Sequence, residues 1–249
     1  MSIVRVEAVS KNFEGNEAVS QVSFSVAEGT ILGLVGSDGA GKTTLLRMIA
    51  TMLKPTAGRI CIKDLDVVRE KTAVKPLIGY MPQRFGLYQD LTVDENINFF
   101  MDIFGITGNE RRSRKDFYLG FSNLHPFVDR LARDLSGGMK QKLGLACVLV
   151  HEPAVLILDE PTNGVDPVSR QEFWDILTQM RKEGMTILVS TAYLDEGEKC
   201  DRLMLMHNAH LLAEAPPQDL RSNFPDLETA MIHRIRAVDK ALADERFTP

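Results

Sequence analysis

Residues 36–44, GSDGAGKTT, are of the types that bind phosphate groups. They fit the pattern G-x-x-x-x-G-K-[ST] between an apolar strand, residues 31–35, and a helical pattern. The glycines let backbone N–H groups approach phosphate oxygens, and a helix N-terminus adds partial positive charge. Lys42 is expected to reach the β- and γ-phosphates, and the Thr43 hydroxyl to bind Mg²⁺. The predicted nucleotide-binding residues of this loop are Gly36, Ser37, Asp38, Gly39, Ala40, Gly41, Lys42, Thr43 and Thr44.

A second apolar strand ends in two acids. Residues 155–158 are Val-Leu-Ile-Leu, and Asp159 and Glu160 follow. Alone, such a pattern is often just a solvated strand end, but a phosphate loop upstream changes its meaning. Asp159 is then expected to hold Mg²⁺, often through water, and Glu160 to polarise the attacking water. The two patterns predict triphosphate hydrolysis with Lys42 and Glu160 as catalytic residues.

A third stretch, LSGGMKQKL at residues 135–143, repeats the anion-binding features of the loop. Ser-Gly-Gly opens an apolar helix, where free N–H groups and the helix dipole favour an anion. One fold has little use for two such sites on one nucleotide. The stretch is therefore better explained as a site for a nucleotide bound to another copy. Its predicted contact residues are Leu135, Ser136, Gly137, Gly138 and Met139.

The elements around these stretches predict an α/β fold: a phosphate-loop NTPase core, an N-terminal antiparallel β-subdomain and an inserted α-helical lobe. Alternating apolar residues before residue 27 predict antiparallel strands joined by turns at 14–16 and 28–29. The helix after the phosphate loop is expected to reach Leu53, where residues 54–58 stop it.

The inserted lobe is predicted over about residues 91–150. It begins at a favourable helix start, Thr92 to Glu95, and includes further helices through 109–124 and 139–150. Strands resume at 155–159 and 186–190, and the tail from Pro216 is predicted to be helical and charged.

Composition narrows the class of function. A chain of 249 residues, 44% hydrophobic, is long enough to bury one full core. A net charge of −5 gives no support for nucleic-acid binding, so no nucleic-acid partner is expected. Three scattered cysteines indicate a reducing cytoplasm. The longest apolar stretches, such as 143–150, fall short of the roughly 20 residues of a membrane span. A membrane role would therefore require docking onto another polypeptide.

Together with YMPQ (80–83) and TNGVDP (162–167), these stretches resemble the ABC ATPase family, the nucleotide-binding domains of ABC transporters. The resemblance covers nearly all residues from 3 to about 235. It places an ABC ATPase domain at residues 1–235, and residues 236–249 look like a C-terminal tail or the start of a linker. It implies ATP and Mg²⁺ as cofactors. It also implies a head-to-tail dimer in which each phosphate loop faces the partner's signature, residues 135–139, across a bound ATP.

The resemblance implies roles for four further residues. Phe13 lies where the family stacks an aromatic ring on adenine, although a core phenylalanine is an alternative. Gln83 lies where a glutamine senses Mg²⁺ and the membrane partner, and Asp166 lies in the loop that communicates across the dimer. Ala192 occupies the position of the family's switch histidine, which contacts the γ-phosphate. The implied Mg²⁺ ligands are Thr43, Gln83 and Asp159.

The resemblance therefore implies that the chain's own site is degenerate at the switch position, Ala192. A methyl group cannot hydrogen bond to a γ-phosphate or hold the attacking water in register with Glu160. Loss of one preorganised donor commonly costs about 10²–10³ in rate. We therefore expect the chain to bind MgATP but to hydrolyse it slowly as a homodimer. Thr191 and Tyr193 are interpreted as ordinary flanks, and Asp195-Glu196 as the first turn of a solvated helix.

Within the family, residues 79–100 and 224–235 look like ATPases of ABC-2-type exporters, and residues 190–203 like the N-terminal half of tandem two-ATPase chains. The expected partners are a second ABC ATPase domain, in the same or a tandem chain, and an integral membrane permease subunit of ABC-2 type. The expected location is the cytoplasm, peripheral on the cytoplasmic face of the inner or plasma membrane. Phe85, Leu87 and Tyr88 form either a groove for the permease or part of the lobe's core.

Two alternative functions remain open. One is a soluble, non-transport ABC ATPase that acts on ribosomes. The other is a regulatory ATP-binding half with little turnover, which the alanine at position 192 favours.

Overall fold

Ten strands and nine α-helices make up the part of the chain that the computed structural model describes, residues 2–246, with side chains to residue 239. The strands are β1 (Ser2–Phe13), β2 (Asn16–Ala27), β3 (Ile31–Gly36), β4 (Ala57–Ile62), β5 (Leu65–Asp66), β6 (Ile78–Met81), β7 (Val155–Asp159), β8 (Thr186–Thr191), β9 (Arg202–His207) and β10 (His210–Ala215). The helices are α1 (Lys42–Ile49), α2 (Lys71–Val74), α3 (Val93–Ile103), α4 (Gly108–Phe121), α5 (Gly137–Leu149), α6 (Pro167–Lys182), α7 (Leu194–Gly197), α8 (Pro217–Arg221) and α9 (Leu227–Arg246).

A six-stranded sheet in the order β10-β9-β3-β8-β7-β6 forms the centre of the fold. Its strands run parallel except for β10, which pairs antiparallel with β9. The carboxyl ends of β3, β7 and β8 therefore meet at one edge, where ligands bind in sheets of this type. The register places Asp159 opposite Ser190 and Val35 opposite Thr191. Residues that follow these strands are thus brought together by backbone pairing alone.

Alternate side chains of the buried strands face two hydrophobic cores, because successive residues of a strand point to opposite faces. On β7, Leu156 and Leu158 face the core that contains α3, α5 and α6. Val155 and Ile157 face the core that contains α1 and the β-subdomain. The sheet is therefore covered on both sides, as its nearly continuous apolar strands require.

The predicted N-terminal antiparallel β-subdomain is confirmed as a four-stranded sheet in the order β2-β1-β4-β5. The turn at residues 14–15 joins β1 to β2, which pair antiparallel. The turn at 28–29 does not join an antiparallel pair as predicted. It leads from β2 into β3 of the other sheet, because the apolar run at 31–35 pairs with β8 and β9.

Three longer helices, α3, α4 and α5, occupy the predicted lobe. Thr92 accepts a hydrogen bond from the Glu95 backbone, and the Glu95 side chain accepts one from the Thr92 backbone, so the expected helix start is a capping box. The helix α5 is apolar on nearly all sides and packs between α3, α6 and the central sheet. Its N-terminus carries the signature.

The helix after the phosphate loop ends earlier than predicted, at Ile49 rather than Leu53. Thr51 adopts a left-handed φ of 61°, which breaks the helix. The N–H groups of Met52 and Leu53 then turn back to the Arg47 carbonyl. The Met52 side chain is exposed, so the apolar pattern that suggested a longer helix includes a residue outside the core.

The C-terminal tail is helical, as predicted. The expected boundary between residues 235 and 236 lies within α9, which runs from Leu227 to Arg246. That boundary stays a prediction, and residues 247–249 of the proposed linker lie outside the described residues. No described helix, α9 included, combines the length and apolar character needed to cross a bilayer.

Candidate functional site

A cleft of about 360 Å³ lies at the carboxyl edge of the central sheet. The phosphate loop, between β3 and α1, forms most of its wall. Three residues from other parts of the chain, Ala18, Gln83 and Glu160, complete it. The lining residues are Ala18, Asp38, Gly39, Ala40, Gly41, Lys42, Thr43, Thr44, Gln83 and Glu160. The structure thus places residues 38–44, which the sequence predicts to bind a nucleotide, beside the predicted catalytic acid.

The conformation of the loop depends on Gly41, which caps the N-terminus of α1 with a φ of 100°. A Cβ atom at this position would lie 2.3 Å from the carbonyl oxygen of Ala18 in β2. Only glycine fits both the left-handed backbone and this close approach. Gly39, with a φ of 77°, also has a left-handed backbone, but its side-chain direction is open.

Lys42 is buried at the base of the loop. Its Nζ donates hydrogen bonds to the carbonyl oxygens of Gly36, at 2.8 Å, and Ser37, at 3.0 Å. The Nζ also lies 3.9 Å from Glu160 Oε1. The ammonium group therefore stands between the loop backbone and the strand-end acid, at the N-terminus of α1. This arrangement concentrates positive charge at the cleft.

Asp159 joins several elements through its buried carboxylate. Its Oδ1 accepts hydrogen bonds from Thr43 Oγ1, at 2.9 Å, and Ser190 Oγ, at 2.8 Å. The Tyr80 hydroxyl lies 3.5 Å from Oδ2. Burial raises the pKa of Tyr80 above its ordinary value, against the nearby Arg47, which lowers it. Tyr80 is therefore a neutral hydroxyl donor at neutral pH.

Glu160 has a left-handed backbone with a φ of 49°, a strained conformation for a residue with a side chain. Ser190 holds it there, because the Glu160 N–H donates to both the carbonyl oxygen and the Oγ of Ser190. The Glu160 carboxylate accepts hydrogen bonds from Gln83 Nε2, at 2.8 Å, and Asn163 Nδ2, at 3.2 Å. The structure therefore brings together the predicted Gln83 and Glu160.

Ser190 is a site residue that the sequence analysis missed. Its hydroxyl donates to Asp159 and accepts from the Glu160 backbone, so one side chain sets the position of both acids. The only signal in the sequence is a polar residue near the end of the strand 186–191. That signal does not reveal the neighbouring strand, which pairs with it from about 30 residues earlier in the chain.

Ala192 follows β8 directly, at the same edge as the cleft, and is exposed. It is not among the described residues that line the cleft. Asp195 and Glu196 lie in the first turn of α7 and Asp195 is exposed, as predicted, but the interpretation of Glu196 as solvated was wrong. Thr191 is buried, and Glu196 is 1% exposed rather than solvated. The four-residue α7 turns the Glu196 carboxylate inward, where it bonds to Thr162, Thr191 and Arg170.

Phe13 ends β1 and lies in a depression next to the cleft, with Thr44 lining both. Its side chain is 45% exposed, which excludes the alternative of a core phenylalanine. The ammonium of Lys11 lies 4.9 Å from the ring centroid. Stacking of this ring on adenine stays a prediction.

The signature opens α5 away from the cleft that the described residues form. Ser136 accepts a hydrogen bond from the Met139 N–H and caps the helix. Ser136 and Gly137 are exposed, whereas Leu135 is buried and Met139 partly so. A Cβ atom at Gly138 would lie 2.4 Å from the Ser169 side chain of α6. The signature therefore packs against the start of α6.

Asp166 caps the same end of α6. Its carboxylate accepts a hydrogen bond from the Ser169 N–H at 2.9 Å, and the hydrogen bonds from Ser169 lower the pKa of Asp166. Ser169 therefore lies between Asp166 and the signature. The two sets of residues that the sequence assigns to contacts with another copy are neighbours in the fold.

The fold and this cleft define a phosphate-loop nucleotide-binding protein. Residues 19–163 match the model of the family described as ABC transporter. Because this match covers more than half of the chain, the protein belongs to the ABC transporter family, which confirms the resemblance.

Individual relatives and structures agree with this assignment. The chain is 48% identical over 221 residues to the probable multidrug ABC transporter ATP-binding protein YbhF of Escherichia coli (strain K12). The matched region covers 88% of this chain and 38% of YbhF. It is 36% identical to the daunorubicin resistance ATP-binding protein DrrA3 of Streptomyces coeruleorubidus, over 88% of this chain and 70% of that protein. The chain thus spans well under half the length of YbhF.

A solved structure extends the similarity to an assembled state. A dimeric post-hydrolysis ATP-binding cassette bound to ADP and Pi is 25% identical to the chain, with a TM-score of 0.76. The similarity covers 86% of this chain and 98% of that one.

Gly41→Ala and Gly39→Ala form a matched pair that tests the loop geometry. Both variants place a side chain on a left-handed backbone, which costs about 1–2 kcal/mol. Only Gly41→Ala also forces the loop away from β2, and we expect this to cost about 1–3 kcal/mol more. Urea unfolding without nucleotide measures the two free energies of unfolding. Equal losses in the two variants would contradict the close approach at Gly41.

Proposed function

We propose that this chain binds and hydrolyses ATP as the energising subunit of an ABC-type exporter. The observation that carries the proposal is the convergence of the phosphate loop, Lys42, Asp159 and Glu160 at one edge of the sheet. This set contains a phosphate cradle, a buried cation, a hydroxyl–carboxylate pair and a second carboxylate. Phosphoryl transfer to water requires these groups.

The chain's residues fit a magnesium ion. The Thr43 hydroxyl and the Asp159 carboxylate lie within hydrogen-bond distance of each other at the start of α1, and both are hard oxygen ligands. We assign Thr43 and Asp159 as the residues that would hold Mg²⁺, with Gln83 nearby on the cleft wall. When bound, the ion would supply neutralisation of phosphate charge.

Phosphate binding falls to the loop amides and Lys42. In the structure the Lys42 ammonium bonds to two loop carbonyls and lies close to Glu160. A bound γ-phosphate offers a stronger, charged acceptor, so we expect Lys42 to exchange these bonds for phosphate oxygens. The cation is already buried beside the loop, which reduces the reorganisation that catalysis requires.

Glu160 is assigned to orient the attacking water. Its carboxylate lies on the cleft wall, and Gln83 and Asn163 hold it from one side. The left-handed backbone directs this side chain away from the line of β7, whereas Asp159 stays in the strand. Two adjacent acids thus serve different tasks because their backbones differ.

A second ABC ATPase domain completes the proposed site. Ser136 and Gly137 are exposed at a helix N-terminus and are not among the residues that line the chain's own cleft, as expected of residues that face a partner's nucleotide. The related cassette with ADP and Pi is dimeric. We infer a head-to-tail pair in which Asp166 lies beside the contact, with the second domain in an identical chain or a tandem one.

The names of the relatives support export as the process that is driven. YbhF is named as a probable multidrug transporter component and DrrA3 as a daunorubicin resistance protein. We propose an integral membrane permease of ABC-2 type as partner, with this chain on the cytoplasmic face of the membrane. Within the segment that follows Gln83, Leu87 is buried but Tyr88 is 47% exposed beside Phe99. Tyr88 is thus the part of this segment that a permease could contact.

Ala192 is the reason why we propose slow ATP hydrolysis at this site. It follows β8 at the sheet edge where the cleft lies, but its side chain has no hydrogen-bonding group. The other residues assigned to phosphate binding are present. Binding should therefore persist while turnover is slow. The same alanine favours the second candidate function, a regulatory ATP-binding half whose signature completes the site of an intact partner.

Ala192→His tests the assignment of slow turnover. We expect magnesium-dependent phosphate release to rise by about 10²–10³ because an imidazole donor is restored. The affinity for a fluorescent ATP analogue should change little. Glu160→Gln in the Ala192→His background is the control, and it should abolish the increase in phosphate release. Equal, high turnover in the wild-type chain and in the Ala192→His variant would contradict the assignment of slow turnover.

Glu160→Gln tests the paired arrangement. Light scattering of this variant should show a dimer with MgATP and a monomer without nucleotide, because the closed pair is no longer released by hydrolysis. Adding Ser136→Arg places a bulky side chain on the exposed signature and should restore the monomer. A Glu160→Gln chain that stays monomeric with saturating MgATP contradicts the arrangement.

A further inference from the structure

Glu196 is buried at 1% exposure, and among the acids that the structure describes only Asp159 is as completely enclosed. Its Oε1 accepts hydrogen bonds from Thr162 Oγ1, at 2.7 Å, and Arg170 Nε, at 3.0 Å. Its Oε2 accepts one from Thr191 Oγ1 at 2.5 Å. A buried carboxylate is costly unless it is paired and hydrogen-bonded, and here both oxygens have donors.

The three donors come from three different elements. Thr162 follows Glu160 by two residues in the loop after β7, and Thr191 ends β8, directly before Ala192. Arg170 lies in the first turns of α6, and its N–H bonds to the Asp166 carbonyl. One carboxylate therefore links the loop that carries the proposed catalytic acid, the loop that carries the switch position and the helix capped by Asp166.

The link extends further along the loop after β8. Thr191 Oγ1 accepts a hydrogen bond from the Tyr193 N–H at 3.0 Å, so Ala192 is held between two connected residues. The Arg170 guanidinium lies 3.8 Å from the Tyr193 ring centroid and pairs with Asp195 at 3.0 Å. Burial would lower the pKa of Arg170, but the hydrogen bond to Glu196 and the two acidic neighbours raise it. Arg170 is thus a permanent cation in this network.

We propose that Glu196 is a positioning residue that makes the loop after β7, residues 160–166, and the loop after β8, residues 192–193, move as one unit. This role rests on the proposed function, because it concerns the two loops that border the proposed nucleotide site. Glu196 itself is not among the residues that line the cleft. It acts through Thr162, Thr191 and Arg170.

The energetic reason for concerted motion is the shared acceptor. If one loop moves alone, the hydrogen bond from Thr162, Thr191 or Arg170 to Glu196 breaks. The buried carboxylate of Glu196 then has fewer donors. Losing a hydrogen bond to a charged group commonly changes an equilibrium by about tenfold or more. Movement of both loops together keeps these bonds. A displacement of Asp166 would therefore be transmitted to Ala192 through the hydrogen bonds that join Arg170, Glu196 and Thr191.

Hydrogen exchange of the nucleotide-free chain tests this coupling directly. Thr162→Val removes one donor, from the loop after β7 only. We expect about tenfold faster exchange in residues 162–166 and, through Glu196, also in residues 192–198. Glu196→Gln, which keeps the shape but removes the charge, should accelerate both segments. Glu198→Gln is the matched control, because Glu198 is exposed on the same turn, and it should leave both at the wild-type rate.

Two results would overturn the coupling. One is a Thr162→Val chain in which only residues 162–166 exchange faster. The other is a Glu196→Gln chain that exchanges at the wild-type rate in both segments. The exchange rates of the Thr162→Val chain decide whether the two loops are coupled even if Glu196→Gln fails to fold. None of these measurements needs ATP, so a failure of the proposed function would not be mistaken for a failure of the coupling.

Kinetics separate a positioning role from a merely structural one. In the Ala192→His background, Glu196→Gln should lower kcat about tenfold and leave the KM for MgATP unchanged. An unchanged kcat contradicts the role. If Ala192→His itself shows no turnover, the proposed function is at fault, and the exchange rates alone decide the coupling.

Discussion

The carboxylate of Asp159 is the interaction on which the geometry of the site depends. It ends β7 in the core of the sheet and accepts hydroxyl hydrogen bonds from Thr43 and Ser190. Thr43 lies in the first turn of α1 and Ser190 is the residue before the last of β8, so one acceptor fixes the helix after the phosphate loop relative to two strand ends. Ser190 also holds the strained backbone of Glu160. The groups proposed for phosphoryl transfer are therefore placed by a small set of buried or partly buried hydrogen bonds, which preorganised chemistry requires.

The start of α6 connects this site to the surface proposed for a second domain. Ser169 packs against Gly138 of the signature, and its neighbour Arg170 bonds to Glu196 behind the cleft. Glu196 in turn holds Thr191, next to Ala192. Adjacent residues of one helix thus contact the signature and the buried network. The side chain of Ala192 has no hydrogen-bonding group, while Thr191 and Tyr193 on either side of it are joined by a hydrogen bond.

Local patterns were sufficient to predict the phosphate loop, the two strand-end acids and the signature, because each depends on residue types close together in sequence. The capping box at Thr92 is local for the same reason. The burial of Glu196 was not predictable, because it depends on Thr162 and Arg170, from distant elements, and on a helix of only four residues. The early end of α1 was missed because Thr51 adopts a left-handed backbone that no local pattern indicated.

Magnesium dependence of nucleotide binding tests the role of Asp159 most directly. A fluorescent ATP analogue should bind the wild-type chain about tenfold more tightly with Mg²⁺ than with EDTA, because Thr43 and Asp159 are the residues proposed to hold the ion. Asp159→Asn should keep the affinity measured in EDTA and lose the gain from Mg²⁺. An Asp159→Asn chain that retains the full gain would contradict the account.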